Sequence, residues 1–487
     1  MTNSIVSLNA VIRFKIFIIT FLLIIYFSRD AECQPANNTP DYNIVIILVD
    51  DLGYSDIGCF GGAKITPNID RLAESGMKFN EFYVSPLCSP TRASLLTGCY
   101  AQRVGLPGVV GNNSPIGINP DEKLLSEILK DRGYHTALFG KWHLGDHEIF
   151  HPQKHGFDEF FGTPASNDMG FDMDLDSRRY GLCGFYLLNG IDTVTVNPRQ
   201  WELVRQYTER SVDFISRKRD KPFFLFLSHN MPHTPIFVSN DFAGKSQINL
   251  YHDVLMEIDW SVGEIMEALE NNQLTDKTLV VFMSDNGPWL IFGNHGGSSF
   301  PLSGGKRQTL EGGVRVPAIM SLPGLIPKST ECDELTTIMD LYPTIANLTN
   351  AKITDKKIDG KNILPLIKGA SDAQTPHEAY YYYHVNALQA VRSGDYKLQL
   401  PHLDTGSPDP ANIGYDGLRG KTLPVNRPLA LYNLKNDPSE LKNISHLKPE
   451  IVQRLLKIAE DARRKLGDSI EGVKGEEIRL PGKVINK

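Results

Sequence analysis

The nine residues NIVIILVDD (Asn43–Asp51) constrain this chain more than any other stretch. Six apolar side chains, nearly all β-branched, run without interruption into two carboxylates. A strand with one wet face alternates apolar and polar residues, so an unbroken run predicts a strand covered on both faces, as in the parallel sheet of an α/β fold. Tyr134–His143 (YHTALFGKWH), Lys221–Asn230 (KPFFLFLSHN) and Lys277–Gly287 (KTLVVFMSDNG) repeat the pattern, and each ends in polar residues. Ligands of doubly wound sheets collect beyond the carboxyl ends of the strands. Asp50, Asp51, Lys141, His143, His229, His233, Asp285 and Asn286 could therefore all reach one edge, with His233, in its His-x-Pro context, preferred to His229 for a direct role.

Helices are expected between the strands. TPNIDRLAESG offers Thr66 as a cap, Pro67 in the first turn and Gly76 as a stop, and DEKLLSEILKDRG has helical apolar spacing before Gly133. Beyond residue 376 the texture changes. AYYYYH and AVRSGDYKLQL read as antiparallel strands with a Ser-Gly-Asp turn, and an amphipathic helix follows near Glu450–Gly467. The expected division is a main α/β domain over 43–375 and a smaller α+β domain over 376–487.

At the N-terminus, Arg13 and Lys15 precede the apolar run Ile16–Phe27, and small residues follow. Residues 1–33 read as a secretory signal, or as an uncleaved signal anchor because the run approaches spanning length, with 34–42 as a linker. Either reading sends the chain into the secretory pathway, to a secreted or lysosomal destination. Sequons at Asn37, Asn112, Asn347 and Asn443 fit that compartment. Six cysteines are present. With Cys33 leaving with the signal and Cys88 reserved for chemistry, Cys59, Cys99, Cys183 and Cys332 could form two bridges in any of three pairings. The net charge of −7, from 50 basic and 57 acidic residues without a long basic run, predicts no nucleic-acid partner.

Two acidic motifs carry metal chemistry. VDDLG and SDNG each put adjacent oxygen-bearing side chains at a strand end, and hard oxygen donors favour Ca²⁺ or Mg²⁺ over zinc. Either motif alone is explained by turn formation. Together they crowd three carboxylates that repel one another unless a cation is present. A third motif, PLCSPTRASLLTG, sets Cys88 where a helix can begin at Ser89-Pro90, with Arg92 one turn onward, and both features favour an anion there.

The C-x-P-x-R and LLTG elements of that string resemble the signature of the type I sulfatase family. VDDLGYSDIGCFGG, FGKWHLG, HGFDEFFG, SDNG and GGKRQTLEGGVRVPA extend the resemblance over most of Asn43–Pro317 and more loosely into the tail. The pattern leans toward the arylsulfatase A and N-acetylgalactosamine-6-sulfatase branches. The resemblance implies an alkaline-phosphatase-like sandwich, with a large, mostly parallel mixed sheet flanked by helices and a smaller C-terminal antiparallel α+β domain. It implies that residues 43–375 are catalytic, and that a formylglycine-generating enzyme oxidises Cys88 to formylglycine in the endoplasmic reticulum.

It further implies that Asp50, Asp51, Asp285 and Asn286 hold one Ca²⁺, which also touches the oxygens of modified residue 88. Arg92 would hold the formylglycine and the metal carboxylates, and Lys141 and His143 would bind sulfate and orient the aldehyde hydrate. His233 and Lys306 would stabilise or protonate the leaving oxygen, with Ser166 near the substrate. A sulfate monoester is a monoanion that a divalent cation, an arginine and two lysines can neutralise. One hydroxyl of the hydrate attacks sulfur, and deprotonation of the other expels sulfate, a release a serine could not achieve. Histidine suits the proton transfers near neutral pH.

The implied substrate is a sulfated small molecule, glycolipid or glycosaminoglycan, and a homodimer is one option for assembly. The rival expectations are a phosphate or phosphonate monoester hydrolase on the same scaffold and a catalytically silent secreted binding homologue. Trp142 and Tyr380–Tyr383 read as packing, and His147, His151 and His155 as loop residues, since their spacing fits no zinc site. Specificity is expected from about 171–196 and 401–428. Cys99 stands where the family often has an arginine after LLTG, implying a lost ion pair or a disulfide, and VRVP replaces the usual VREP.

Overall fold

Strand β1 (Asn43–Val49) forms where the apolar run predicts it and is buried along its whole length. The computed structural model describes residues 41–169, 184–217 and 221–484. Residues 1–40, which include Cys33 and Asn37, and Cys183 lie outside the described residues; Asp41–Lys487 is one compact unit.

The main sheet continues with β2 (Met77–Tyr83), β3 (His135–Lys141), β4 (Glu159–Thr163), β5 (Tyr186–Asn189), β6 (Asp192–Val196), β7 (Phe223–Ser228), β8 (Thr278–Ser284), β9 (Arg315–Ser321), β10 (Thr330–Cys332) and β11 (Thr336–Thr337). Its order is β10-β2-β9-β8-β1-β7-β3-β4-β5-β6, with β11 beside β2. The centre, β8-β1-β7-β3-β4, is parallel throughout, and β9 and β5 are antiparallel to their inner neighbours. The sheet is therefore mixed with a parallel core.

Alternate residues of β1 enter different cores, which explains the unbroken apolar sequence. Ile44, Ile46 and Leu48 pack with α2 (Cys88–Thr97), α3 (Leu125–Asp131) and α6 (Leu341–Thr349). Val45, Ile47 and Val49 pack with α1 (Pro67–Glu74), α4 (Leu203–Ser216) and α5 (Leu250–Asn271). Full burial of each such side chain contributes about 1.5–3 kcal/mol, so neither face tolerates a polar residue.

The start of α1 differs from expectation. Thr66 makes no side-chain cap; its Oγ1 accepts the Gly58 N–H instead. Asp259 of α5 accepts the N–H groups of Asn68 and Ile69, so the first turn is satisfied across the helix interface. Gly76 is required by the close approach of the Met320 carbonyl.

The C-terminal sheet contains Tyr380–His384, Ala387–Ser393, Tyr396–Gln399 and Ala430–Asn433 as consecutive antiparallel neighbours, covered by α7 (Pro449–Leu466). The expected turn is there, with Gly394 at φ 56°. The tyrosine run is packing: Tyr380, Tyr382 and Tyr383 are buried, and Tyr382 donates to Glu311 at 2.9 Å.

Two disulfides do not form. Cys59, Cys99 and Cys332 are free thiols, and two bridges would require at least one bond among those three. Cys99 instead receives a contact from Arg479 Nη2 at 3.3 Å, so an arginine from the tail reaches the place where the family often carries one after LLTG. Val316 of VRVP is wholly buried in the sheet, which explains an apolar residue there.

Candidate active site

Strand register builds the site. Val49 of β1 pairs with Ser284 of β8, so the residues that follow, Asp50-Asp51 and Asp285-Asn286, leave the sheet side by side. The Asp51 N–H donates to Asp285 Oδ1 at 3.2 Å, and Asn286 Nδ2 donates to Asp51 Oδ1 at 2.7 Å. All four residues are buried, and Asp51 is held at φ 65°. Lys141 ends β3, His143 follows at φ 64°, His233 follows β7, and Ser166 follows β4. Gly140 precedes Lys141 because a β-carbon there would collide with the Ser228 carbonyl, leaving no room for a side chain.

Cys88 is the first residue of α2, buried, with no side-chain cap at Leu87. Burial pushes its thiol up, against the charges of Lys141 and Lys306, and Asp50 and Asp285 push it further. Arg92, one turn along, is wholly buried and donates to Asp285 Oδ2 from Nε at 3.2 Å and from Nη2 at 2.9 Å. Its Nη1 donates to the Lys141 carbonyl at 2.8 Å and Ser228 Oγ at 2.6 Å. Ser228, at the end of β7, is a contact the sequence did not signal.

Three buried cations offset three buried carboxylates. Lys141 donates to Asp50 and, at 3.2 Å, to Ser166 Oγ. Lys306 donates to both oxygens of Asp51, at 2.7 and 2.9 Å. Burial would raise the Asp50 carboxyl, but Lys141, His233, Arg92 and Lys306 together hold it well below the usual range. Asp285 moves the other way, up to about 7, through burial and then the neighbouring Asp50 anion. Burial lowers His143, reinforced by Lys141 and Arg92, and lowers His233, reinforced by Lys306. Both imidazoles are thereby kept neutral around pH 7.

The donor set suits a hard cation. Asp50 Oδ1 and Asn286 Oδ1 are buried without a hydrogen-bond partner, and buried polar atoms rarely stay so. Asp50, Asp51 and His233 also bring one ligand atom each within 4.8 Å of one another. Carboxylate and amide oxygens at this density are ligands for Ca²⁺ or Mg²⁺.

Not every expected residue joins the site. His229 turns away: its Nε2 meets Ser261 Oγ of α5 at 3.1 Å, and burial lowers its pKa to about 3. Trp142 is core, donating to the Phe150 carbonyl at 2.9 Å, and His151 and His155 bond backbone carbonyls of their own neighbourhood. Asn112 Nδ2 donates to the Met169 carbonyl at 2.7 Å, whereas Asn347 and Asn443 are exposed. Trp289 was missed. Its ring lies 5.4 Å from that of His233 and 4.6 Å from Lys306 Nζ, and a tryptophan two residues after an Asp-Asn-Gly end would have been the signal.

Comparison with known proteins follows the same outline. The family described as Sulfatase matches residues 42–351, and the C-terminal region of aryl-sulfatase matches residues 375–476. Arylsulfatase A of Homo sapiens is 36% identical over 474 residues, covering 90% of this chain and 92% of that one. N-acetylgalactosamine-6-sulfatase of Canis lupus familiaris is 38% identical over 384 residues, covering 74% and 71%. The structure of Ps i-CgsB in complex with k-i-k-neocarrahexaose aligns with a TM-score of 0.72 at 31% identity, covering 86% of this chain and 92% of that one. The architecture is alkaline-phosphatase-like. The chain belongs to the sulfatase family, whose members are sulfuric ester hydrolases.

Proposed function

We propose that this protein hydrolyses sulfate monoesters of carbohydrate or aryl alcohols, with Cys88 converted to formylglycine and one Ca²⁺ held by Asp50, Asp51, Asp285 and Asn286. The carrying observation is that Arg92, Lys141 and Lys306, each buried, meet three carboxylates beside the N-terminus of the helix that begins at Cys88. Bound there, the cation supplies Lewis-acid stabilisation of anionic oxygen, and the aldehyde hydrate supplies a nucleophile that can be released again.

The chain's own residues do the rest. Arg92 is fixed by Asp285, Ser228 and Lys141, so it presents charge to residue 88 without reorganising. Lys141 and Ser166 bind sulfate oxygens, and neutral His143 accepts a proton from the hydrate. Burial works against the Lys306 ammonium, but Asp51 keeps it protonated, so Lys306 neutralises charge on the departing oxygen while neutral His233 orients that oxygen through a hydrogen bond.

The substrate class is supported by the names of the relatives and by the carbohydrate bound to Ps i-CgsB. We place the protein in the secretory pathway on its N-terminal pattern; among the described residues no helix is long and apolar enough to cross a membrane. Matched aryl sulfate and aryl phosphate esters test the proposal. Sulfate hydrolysis is expected to dominate, and a strong phosphate preference, or inactivity with calcium bound and residue 88 modified, would overturn it.

A further inference from the structure

Trp289 joins the site to a surface cation that the mechanism does not use. Lys306 Nζ and the guanidinium carbon of Arg419 lie 4.6 and 5.8 Å from its ring centroid. Arg419 is exposed and, among the described residues, makes no ion pair. The backbone that carries it is nevertheless tethered. The N–H groups of Gly414 and Gly420 both donate to the Ile291 carbonyl at 2.9 Å, and Leu418 N–H closes a turn onto Tyr415. Asn294 and Asp416 exchange two hydrogen bonds, at 2.8 and 2.9 Å. The 412–420 loop is thus tied to the segment that carries Trp289. Gly414 has no room for a side chain against the Leu418 carbonyl.

An unpaired arginine is usually solvated and mobile; here a tethered loop sets it over a half-buried indole that also touches Lys306. An indole offers an apolar face to a sugar ring, and a guanidinium pairs with sulfate or carboxylate through directed, charge-assisted hydrogen bonds. We propose that Trp289 and Arg419 form a subsite for a second anionic group, sulfate or carboxylate, on the saccharide bearing the scissile ester. The subsite deepens the sulfatase reading and rests on it: the substrate is a polyanionic glycan rather than a lipid or aryl alcohol with a single sulfate.

The test is binding by the full chain in a Cys88→Ala background, where no turnover occurs. An oligosaccharide with one sulfate is compared with the same oligosaccharide carrying two. The second sulfate tightens binding about tenfold. Arg419→Gln removes that gain, Arg419→Lys keeps part of it, and neither changes the affinity for the singly sulfated ligand. An equal gain in Arg419→Gln, or no gain in the Arg419 chain, overturns the subsite. In parallel, otherwise native protein carrying Arg419→Gln hydrolyses a small aryl monosulfate at the native rate; a loss there also overturns it. Failure of the native protein to hydrolyse the aryl sulfate sinks the parent reading instead, and the binding comparison still judges the subsite.

Discussion

Arg92 and Asp285 are paired with neither side chain exposed, two guanidinium nitrogens donating to the same carboxylate oxygen. Through Ser228 and the Lys141 carbonyl the same guanidinium also fastens the ends of β7 and β3. One side chain of α2 thereby sets the spacing of three strand ends around residue 88.

Removing Arg92 takes the cation from the buried Asp285 carboxylate and leaves Ser228 Oγ and the Lys141 carbonyl with only the hydrogen bond between them. Arg92→Ala is expected to lower stability by about 3–5 kcal/mol, as for other broken buried ion pairs, and to abolish activity. Arg92→Lys also fails, because an ammonium cannot span these acceptors as a planar fork does. Urea unfolding and sulfatase assays on both variants check this; a lysine variant with native activity would contradict it.

If Lys306 acts on the leaving group, as proposed, its removal should hurt esters unequally. Lys306→Ala is expected to lower kcat about 10²–10⁴-fold for alcohols of high pKa and far less for acidic phenols. A series of aryl sulfates graded by phenol pKa measures this. A uniform drop across the series would assign Lys306 to sulfate binding instead.

A cation at Asp50, Asp51, Asp285 and Asn286 should stabilise the fold by mass action, by about 2.7 kcal/mol at a hundredfold excess over its Kd. Chelation is expected to lower the melting temperature and the activity together, and added Ca²⁺ to restore both. In Asp50→Asn the Ca²⁺-dependent shift in melting temperature should shrink or vanish. An unchanged shift in that variant would move the metal elsewhere.

Two buried groups give stability opposite pH slopes. Burial raises the Asp56 carboxyl to about 6, so the folded state keeps a proton the unfolded chain releases, and stability falls as pH rises from 3.8 to 6. His229, lowered to about 3, takes its proton first in the unfolded chain, so stability falls as pH drops below 6.5. Each slope is at most about 1.4 kcal/mol per pH unit. Melting curves from pH 4 to 7 should lose the first slope in Asp56→Asn and the second in His229→Gln.

Much of this was legible in the sequence because burial on two faces leaves a direct mark: NIVIILV can be little else than a central parallel strand, and its exit residues had to share an edge with those of Thr278–Ser284. His229 misled because it also sits at a strand exit, and the choice between pocket and helix is made by Ser261, 32 residues away. Thr66 misled for a related reason, its capping place being taken by Asp259 on α5. Trp289 and Arg419 carry no periodic signal; the tethering of two loops through Ile291 and through Asn294 and Asp416 brings them together. Tertiary contacts of this kind are invisible to local pattern.

Peptide mass spectrometry across Cys88 of active protein, made in cells that mature secreted proteins, decides whether residue 88 is the nucleophile argued for here. An aldehyde, or its hydrate, is expected in place of the thiol. An intact thiol in protein that turns over sulfate esters would contradict it.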